Sequence, residues 1–320
     1  MKVLKLVVQI PCYNEAEHLE ETVAAIPRRM DGIDSIEILV VDDGSTDGTA
    51  EVASRLKVDH IVRHRRNRGL AAAFQTGLDA SLRAGADIIV NTDADNQYDA
   101  SDLELLVGPL LRGEADLVLG DRQVGTNRHF SRGKRALQRI GTGVVRHLSG
   151  IDIPDAVSGF RAMSRDAAMQ MNIVSRFSYT TEMLIMAGQR RLAVASVPVR
   201  TNAPTRQSRL FRSVPQFIAN TGLTIARAYA LYNPLRTFLL IGLVILLLGA
   251  LPVLRFLWLY LSGDGQGHVQ SLVLGGTLLV IGFITLLFGI IADLIGRNRQ
   301  MLEAVLLKVR KIEERLDRRG

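Results

Sequence analysis

Ile36-Glu37-Ile38-Leu39-Val40-Val41 runs straight into Asp42-Asp43-Gly44-Ser45-Thr46-Asp47-Gly48-Thr49. The first six residues are rich in the apolar, β-branched types that fit a buried strand. The next eight are turn formers and helix caps. A strand that ends in such a turn and opens a helix is one step of an α/β chain, and the step repeats. Strands are predicted over residues 5–10, 36–41, 87–92 and 116–119, and helices over 15–30, 47–56, 70–84 and 101–112. In the third helix Leu70, Phe74, Gly77, Leu78, Ser81 and Leu82 recur at helical spacing. The alternation implies an α/β fold, a mostly parallel sheet with helices on both faces. Ligands of such sheets bind beyond the carboxyl ends of the strands. Chemistry is therefore expected in the residues that follow each strand.

Three strand ends are acidic or polar. The first is followed by Pro11-Cys12-Tyr13-Asn14-Glu15, the second by the Asp42–Thr49 segment, and the strand at 87–92 by Asp93-Ala94-Asp95-Asn96-Gln97. Five carboxylates, Glu15, Asp42, Asp43, Asp93 and Asp95, thus gather at one sheet edge. Carboxylates this close repel one another unless a cation or hydrogen-bond donors sit among them. A hard divalent ion takes oxygen ligands and keeps positions open for substrate phosphates. Taken singly, each segment has a plainer reading: a capped strand-to-helix turn, a chance Asp-x-Asp, a helix start. Their occurrence at three strand ends in this order is what points to a site. No Gly-x-Gly-x-x-Gly follows a strand and no Gly-x-x-x-x-Gly-Lys-[Ser/Thr] occurs, which disfavours other nucleotide folds.

The 320 residues carry a formal net charge of +7, are 48% apolar and 5% aromatic, and include one cysteine, Cys12. That apolar content excludes disorder as the main state. One cysteine excludes an internal disulfide and a multi-cysteine metal cluster. The basic balance calls for an anionic partner: nucleic acid, a phosphate-bearing substrate or a membrane surface. The apolar residues are unevenly spread. Residues 237–254 form an uncharged run of 18, extended past Arg255 through Leu261, and residues 271–292 form a second run of 22. A helix needs roughly 20 apolar residues to cross the hydrocarbon core, so the pair reads as two membrane spans. Arg236 precedes the first and Arg297 and Arg299 follow the second, whereas the loop at 262–270 has no Lys or Arg. The positive-inside rule then places both termini in the cytoplasm of a two-span protein of the cell (inner) membrane. Trp258 and Tyr260 suit the far interface, where Arg255 can snorkel to water. Residues 4–10 are too short and too polar for a signal peptide and read as a strand.

Pro11-Cys12-Tyr13-Asn14-Glu15, Val41-Asp42-Asp43-Gly44-Ser45-Thr46-Asp47-Gly48, Asn67-Arg68-Gly69, Asp93-Ala94-Asp95-Asn96-Gln97 and Gly120-Asp121-Arg122 form one set of motifs. An Arg-rich stretch to Arg139, Ser158-Gly159-Phe160-Arg161-Ala162, Glu182 and Ser208-Arg209-Leu210 continue it. Together they resemble family 2 glycosyltransferases of the GT-A (Rossmann-like) fold, and within them the polyprenyl-phosphate glycosyltransferases of the dolichol-phosphate mannose synthase-like branch. The resemblance implies that Pro11, Tyr13, Glu15, Asp42, Asp43 and Asp93 bind the nucleotide, with Asp42 or Asp43 on the base or ribose. It implies that Asp93, Asp95 and Gln97 hold Mg2+ or Mn2+ and, through it, the diphosphate. Asp95, Arg122 and Glu182 are the expected catalytic residues, Glu182 by orienting the sugar. Arg122, Lys134, Arg135 and Arg209 are expected at the acceptor phosphate. The implied reaction moves one sugar, with inversion, from a UDP- or GDP-linked donor to a polyprenyl monophosphate of undecaprenyl or dolichyl type. A phosphate nucleophile is already largely ionised at neutral pH, which agrees with the lack of histidine in the strand-end motifs. The Gln-x-x-Arg-Trp motif of processive synthases is excluded, because the only tryptophan, Trp258, lies in a predicted span.

Positive charge is concentrated. Residues 122–151 hold seven Lys or Arg and no acid, and residues 197–236 hold six Arg and no acid. Either a solvated or lipid-attracted basic face or an acceptor-phosphate site accounts for this. Nucleic acid is disfavoured by the two spans. Residues 209–233 carry Leu210, Phe211, Val214, Phe217, Ile218, Leu223, Ile225 and Tyr229, a pattern of amphipathic helices lying on a bilayer. After the second span Leu302, Val305, Val309, Ile312 and Leu316 alternate steps of three and four. That is either a coiled-coil seam joining a homo-oligomer or a lone amphipathic helix. The chain thus divides into a GT-A domain (1–205), juxtamembrane helices (206–234), a transmembrane hairpin (235–292) and a cytoplasmic helix (293–320). Two other readings are a nonprocessive membrane-anchored transferase acting on a soluble, glycolipid or protein acceptor, and a non-enzymatic membrane scaffold with a degenerate fold.

Overall fold

A computed structural model describes residues 3–123, 132–173, 179–202, 233–263 and 269–317. The chain divides into two compact units, Met1–Thr221 and Gly222–Gly320. The first contains, in order, β1 (Lys5–Cys12), α1 (Leu19–Ala25), β2 (Ser35–Asp42), α2 (Thr49–Arg55), β3 (His60–Arg63), α3 (Leu70–Arg83) and β4 (Ile88–Asn91). There follow α4 (Leu103–Leu111), β5 (Leu117–Asp121), α5 (Arg132–Ser149), β6 (Arg161–Ser164), α6 (Arg165–Gln170), α7 (Tyr179–Gln189) and β7 (Val194–Pro198).

The strands form one sheet in the order β3-β2-β1-β4-β6-β5-β7. Pairing is parallel except at β6, which runs antiparallel to both β4 and β5. The mostly parallel sheet is the expected one. Strand side chains alternate between faces, and both faces are covered. Leu6, Val8, Ile10, Ile38 and Val40 pack with Leu19, Leu103 and Leu106 on one side. Val7, Leu39, Val41 and Ile89 pack with Phe74, Leu78, Met183 and Leu184 on the other. Burial on both faces is why these strands read as continuous apolar runs.

Where local structure departs from expectation, the cause is tertiary. The helix expected over 15–30 is α1, which spans only Leu19–Ala25. At its start the backbone N–H groups of Asn14, Glu15 and Ala16 donate to side chains of the β2–α2 turn instead of helical carbonyls. At its end Ile26 turns extended before Pro27, as residues preceding proline do. The strands β3, β6 and β7 have no counterpart among the predicted ones. Two of them lie at the sheet edges, and β6 opens on a charged residue, Arg161.

In the second unit α8 (Pro234–Leu261) and α9 (Val269–Asp317) are helices. Pro234–Leu261 and Val269–Asn298 each reach a mean hydropathy of 2.7 and are long and apolar enough to cross a membrane. Most of their large apolar side chains face outward, Leu247, Leu254, Phe283 and Ile291 among them. They pack on one another through glycines seven residues apart. A Cβ on Gly249 would lie 2.9 Å from Leu278 Cβ, and one on Gly282 would lie 2.8 Å from Leu246 Cγ. The helix expected over 293–320 is not separate from the second span, because α9 runs unbroken from Val269 to Asp317. An Arg297–Asp293 pair at 3.0 Å spans the junction one turn apart. The juxtamembrane helices expected over 206–234 fall almost wholly outside the described residues.

Candidate active site

The sheet order makes β2, β1 and β4 neighbours, so the three strand-end motifs line up along one edge. The first two are laced together. Asp43 N–H donates to the Cys12 carbonyl at 2.8 Å. Asn14 N–H donates to Ser45 Oγ and Thr46 N–H to Asn14 Oδ1, both at 2.9 Å. Glu15 N–H donates to Thr49 Oγ1 at 3.0 Å and Ala16 N–H to Asp47 Oδ2 at 3.1 Å. Asn14 takes a left-handed backbone, φ 55°, to make this turn. Pro11 and Glu15 are buried and Tyr13 is exposed at the rim. Cys12 is inert here, since burial and then the Glu15 charge push its thiol well up.

Asp42 and Asp43, adjacent in sequence, are held differently. Asp42 Oδ1 accepts the Ser45 N–H at 2.9 Å, and Oδ2 lies 3.1 Å from Arg63 Nε without hydrogen-bond geometry. Both Asp43 oxygens are engaged. Oδ1 meets His64 Nδ1 at 2.6 Å and accepts the Arg68 N–H, and Oδ2 accepts the Gly69 N–H at 2.8 Å. The Asn67-Arg68-Gly69 motif is thus the backbone half of a clamp on Asp43.

The third motif follows β4. Thr22 Oγ1 donates to the Ala94 carbonyl at 3.0 Å and ties this loop to α1. Asp95 Oδ1 accepts the Gln97 N–H at 3.2 Å, and the Gln97 carbonyl accepts the Asn202 N–H at 2.9 Å. Asp93 packs against the bare face of Gly159, where a Cβ would stand 2.6 Å from its carboxylate. Burial and the charge of Asp95 raise the Asp93 carboxyl to about 7, against opposing effects of Arg122 and Arg161. A carboxyl so perturbed at a strand end is a candidate for a functional site. Two acids that repel one another and offer oxygen ligands fit a hard divalent cation. Among the described residues no three His, Cys, Asp or Glu groups converge as a metal cage. A cation here would draw on Asp93, Asp95 and Gln97 and complete its shell from substrate and water.

Behind these loops stands a network of buried polar groups. Arg161 is fully buried, and its guanidinium donates to the carbonyls of Ser158, Thr180 and Ala156 at 2.7–2.8 Å. Burial lowers it to about 10. Asn91 donates to the Gly159 carbonyl at 2.8 Å and the Tyr179 hydroxyl at 3.1 Å. Tyr98, stacked on Phe160, accepts the Gly159 N–H at 2.9 Å. Arg122 is buried against Asp155 in a bidentate pair, Nε to Oδ2 at 2.7 Å and Nη2 to Oδ1 at 3.0 Å. That edge of its fork is committed to protein. Glu182 is buried in the first turn of α7. Lys134 and Arg135 stand in the first turn of α5, and Arg209 lies outside the described residues. Arg200, in the second basic stretch, is spent on Asp102 and Ser101, each at 2.6 Å. His64, Asn91, Asp155 and Asp102 carry no signal in the sequence. Each is a polar residue whose partner is distant in the chain, whereas Arg122, Ser158, Gly159, Phe160, Arg161 and Glu182 sit inside the motifs quoted above.

An α/β sheet with acidic motifs lined along adjoining strand ends, set before a hairpin of apolar helices, defines a glycosyltransferase of the GT-A class. The chain belongs to glycosyl transferase family 2, which matches it over residues 7–171, more than half its length. It is 33% identical over 176 residues to a polyprenol monophosphomannose synthase of Mycolicibacterium smegmatis, covering 53% of this chain and 65% of that protein. It is 27% identical over 209 residues to an undecaprenyl-phosphate mannosyltransferase of Micrococcus luteus, covering 62% of this chain and 83% of that protein. The fold resembles glucosyl-3-phosphoglycerate synthase of Mycobacterium tuberculosis, solved with Mn2+, uridine diphosphate and glucosyl-3-phosphoglycerate. The TM-score is 0.55 at 23% identity, over 71% of this chain and 79% of that one.

Proposed function

We propose that this glycosyltransferase moves one sugar from a nucleoside-diphosphate sugar, UDP- or GDP-linked, to a polyprenyl monophosphate in the membrane, inverting the anomeric carbon. One observation carries the reading: a single chain joins the Asp93–Gln97 strand end to two helices able to span a bilayer. Relatives named for polyprenyl-phosphate substrates support it.

In this reading Pro11, Tyr13, Glu15, Asp42 and Asp43 border the nucleotide. Asp93, Asp95 and Gln97 hold Mg2+ or Mn2+, which when bound neutralises the leaving diphosphate. Lys134, Arg135 and Arg209 bind the acceptor phosphate. A phosphate oxygen is already the nucleophile, so the protein's task is to hold two anions close rather than to remove a proton. Glu182, fixed in α7, orients the sugar, and the Arg122–Asp155 pair fixes the end of β5 and tempers the negative field at Asp93. The chain is divided as 1–205, 206–234, 235–292 and 293–320, with both termini cytoplasmic, and copies associate through the C-terminal part of α9.

The test is transfer of radiolabelled sugar to polyprenyl phosphate by the full chain in detergent. Asp95→Asn is expected to cut transfer at least a hundredfold, and undiminished, metal-independent transfer by that variant would overturn the metal assignment. Transfer to water-soluble acceptors by a chain ending at Tyr229 would instead establish the spans as a mere anchor.

A further inference from the structure

We infer that His64 is a positioning residue for the nucleotide end of the donor site, acting through Asp43; this rests on the reading that the Asp42–Gly44 turn borders the nucleotide. His64 is buried just past β3, outside every motif assigned above. Its own N–H donates to the Asp42 carbonyl at 2.9 Å, which continues the β2–β3 ladder by one step. Its ring bridges two elements. Nδ1 lies 2.6 Å from Asp43 Oδ1, and Nε2 lies 3.0 Å from Thr76 Oγ1 on α3. A carboxylate only accepts, so Nδ1–H is the donor in the first contact.

What the ring holds is the seam between two loops. At Gly44, φ 75°, a Cβ would stand 2.5 Å from the Arg66 carbonyl carbon and 2.7 Å from Asn67 N. The turn after β2 and the loop before α3 therefore touch backbone to backbone. Three donors converge on Asp43 at this seam: His64 Nδ1–H and the Arg68 and Gly69 amides. Of the three only the ring is a side chain anchored elsewhere, on Thr76, so it sets the carboxylate against the body of α3 rather than against a loop. A buried charge-assisted hydrogen bond is short and strong, and its loss frees the partner it oriented. Without the ring, Asp43 and the 66–69 loop are expected to shift together at the edge where a base or ribose would lie.

Two substitutions separate this role from simple packing. Asn at 64 places an amide nitrogen near the Nδ1 position, whereas Gln places it near Nε2. The full chain in detergent is titrated calorimetrically with UDP and with GDP, each with Mg2+. For whichever nucleotide the wild type binds, His64→Gln is expected to weaken binding about tenfold, the scale of one such hydrogen bond. His64→Asn is expected to stay within about threefold on the same grounds. KM for the nucleotide sugar should rise in His64→Gln with kcat little changed, and hydrogen exchange at the Arg68 and Gly69 amides should quicken. Equal binding by Gln and Asn variants, or unchanged exchange at those amides, overturns the role of His64. A wild type that binds neither nucleotide overturns the pocket reading itself.

Discussion

Asp93 is asked to be an anion in a place that resists one. Burial and Asp95 raise its carboxyl from 3.8 to about 7, so without a cation the folded chain keeps it mostly protonated up to about pH 7. The folded state then holds more protons than the unfolded state between those two values, and this contribution to stability is lost as pH rises through that window. Asn at 93 keeps the shape of the neutral acid. In metal-free protein at pH 8, Asp93→Asn is expected to be more stable than wild type by about 1–3 kcal/mol, since each tenfold change in an acid's ionisation constant is worth about 1.4 kcal/mol. At pH 4 the two should melt alike. Thermal melts at both pH values check this, and added Mg2+ should stabilise wild type but not the variant. The same residue makes Gly159 indispensable. A methyl there would stand 2.6 Å from the carboxylate, so Gly159→Ala is expected to weaken Mn2+ activation at least tenfold in a metal titration of transfer. Arg161 is the structural counterpart. Arg161→Met strips three buried carbonyls of their donors, each an unsatisfied group costing about 1–3 kcal/mol. A loss of about 3 kcal/mol or more in denaturant unfolding is expected.

Among the elements, what can be read from sequence is what is written locally. The strand–turn–helix steps at residues 5–16, 36–49 and 88–97 show themselves because apolar runs and turn formers are contiguous. The antiparallel insertion of β6 between β4 and β5 does not. Its four residues begin with a buried arginine, and its pairing with Asn91 and Leu119 joins positions far apart in the chain. The clamp on Asp43 is half legible for the same reason: Asn67-Arg68-Gly69 is a motif, whereas His64 and Thr76 belong to it only through space. The hairpin of apolar helices is legible as two apolar runs, but its seam is not, because its signal is the heptad spacing of Gly275, Gly282 and Gly289 rather than apolarity. In lipid, small residues let helices approach closely. Gly249→Leu and Gly282→Leu, which drive atoms into the facing helix, are expected to lower the melting temperature of the detergent-solubilised chain. Gly276→Leu, with nothing within 4 Å of its Cβ position, should leave it unchanged and serves as the control.

For the whole molecule, the thirteen Lys and Arg of the two acid-free stretches overstate the local charge free for a partner. Arg122, Arg146 and Arg200 all lie in the acid-free stretches, yet each is paired with an aspartate from outside them. A separate exposed apolar surface lies toward the C-terminus of the chain. α9 has 49 residues, which at 1.5 Å per residue is about 70 Å, far more than the roughly 30 Å of a hydrocarbon core. Its C-terminal part carries Leu302, Val305, Val309 and Ile312, all exposed on the chain taken alone. If every copy enters the membrane through the same two helices, these ends leave on the same side and run the same way, so a pair formed along them is parallel. With Leu302, Val309 and Leu316 at a and Val305 and Ile312 at d, Lys308 falls at g and Glu313 at the e position of the next heptad. These two positions meet across a parallel seam, and their charges are opposite. Light scattering on the chain in detergent is expected to give a multiple of 35.2 kDa for wild type and a single chain for Val305→Glu with Ile312→Glu. Lys308→Glu should weaken association and Lys308→Glu with Glu313→Lys should restore it. A wild type that is a single chain, or a charge swap that restores nothing, would show that α9 ends as a lone amphipathic helix.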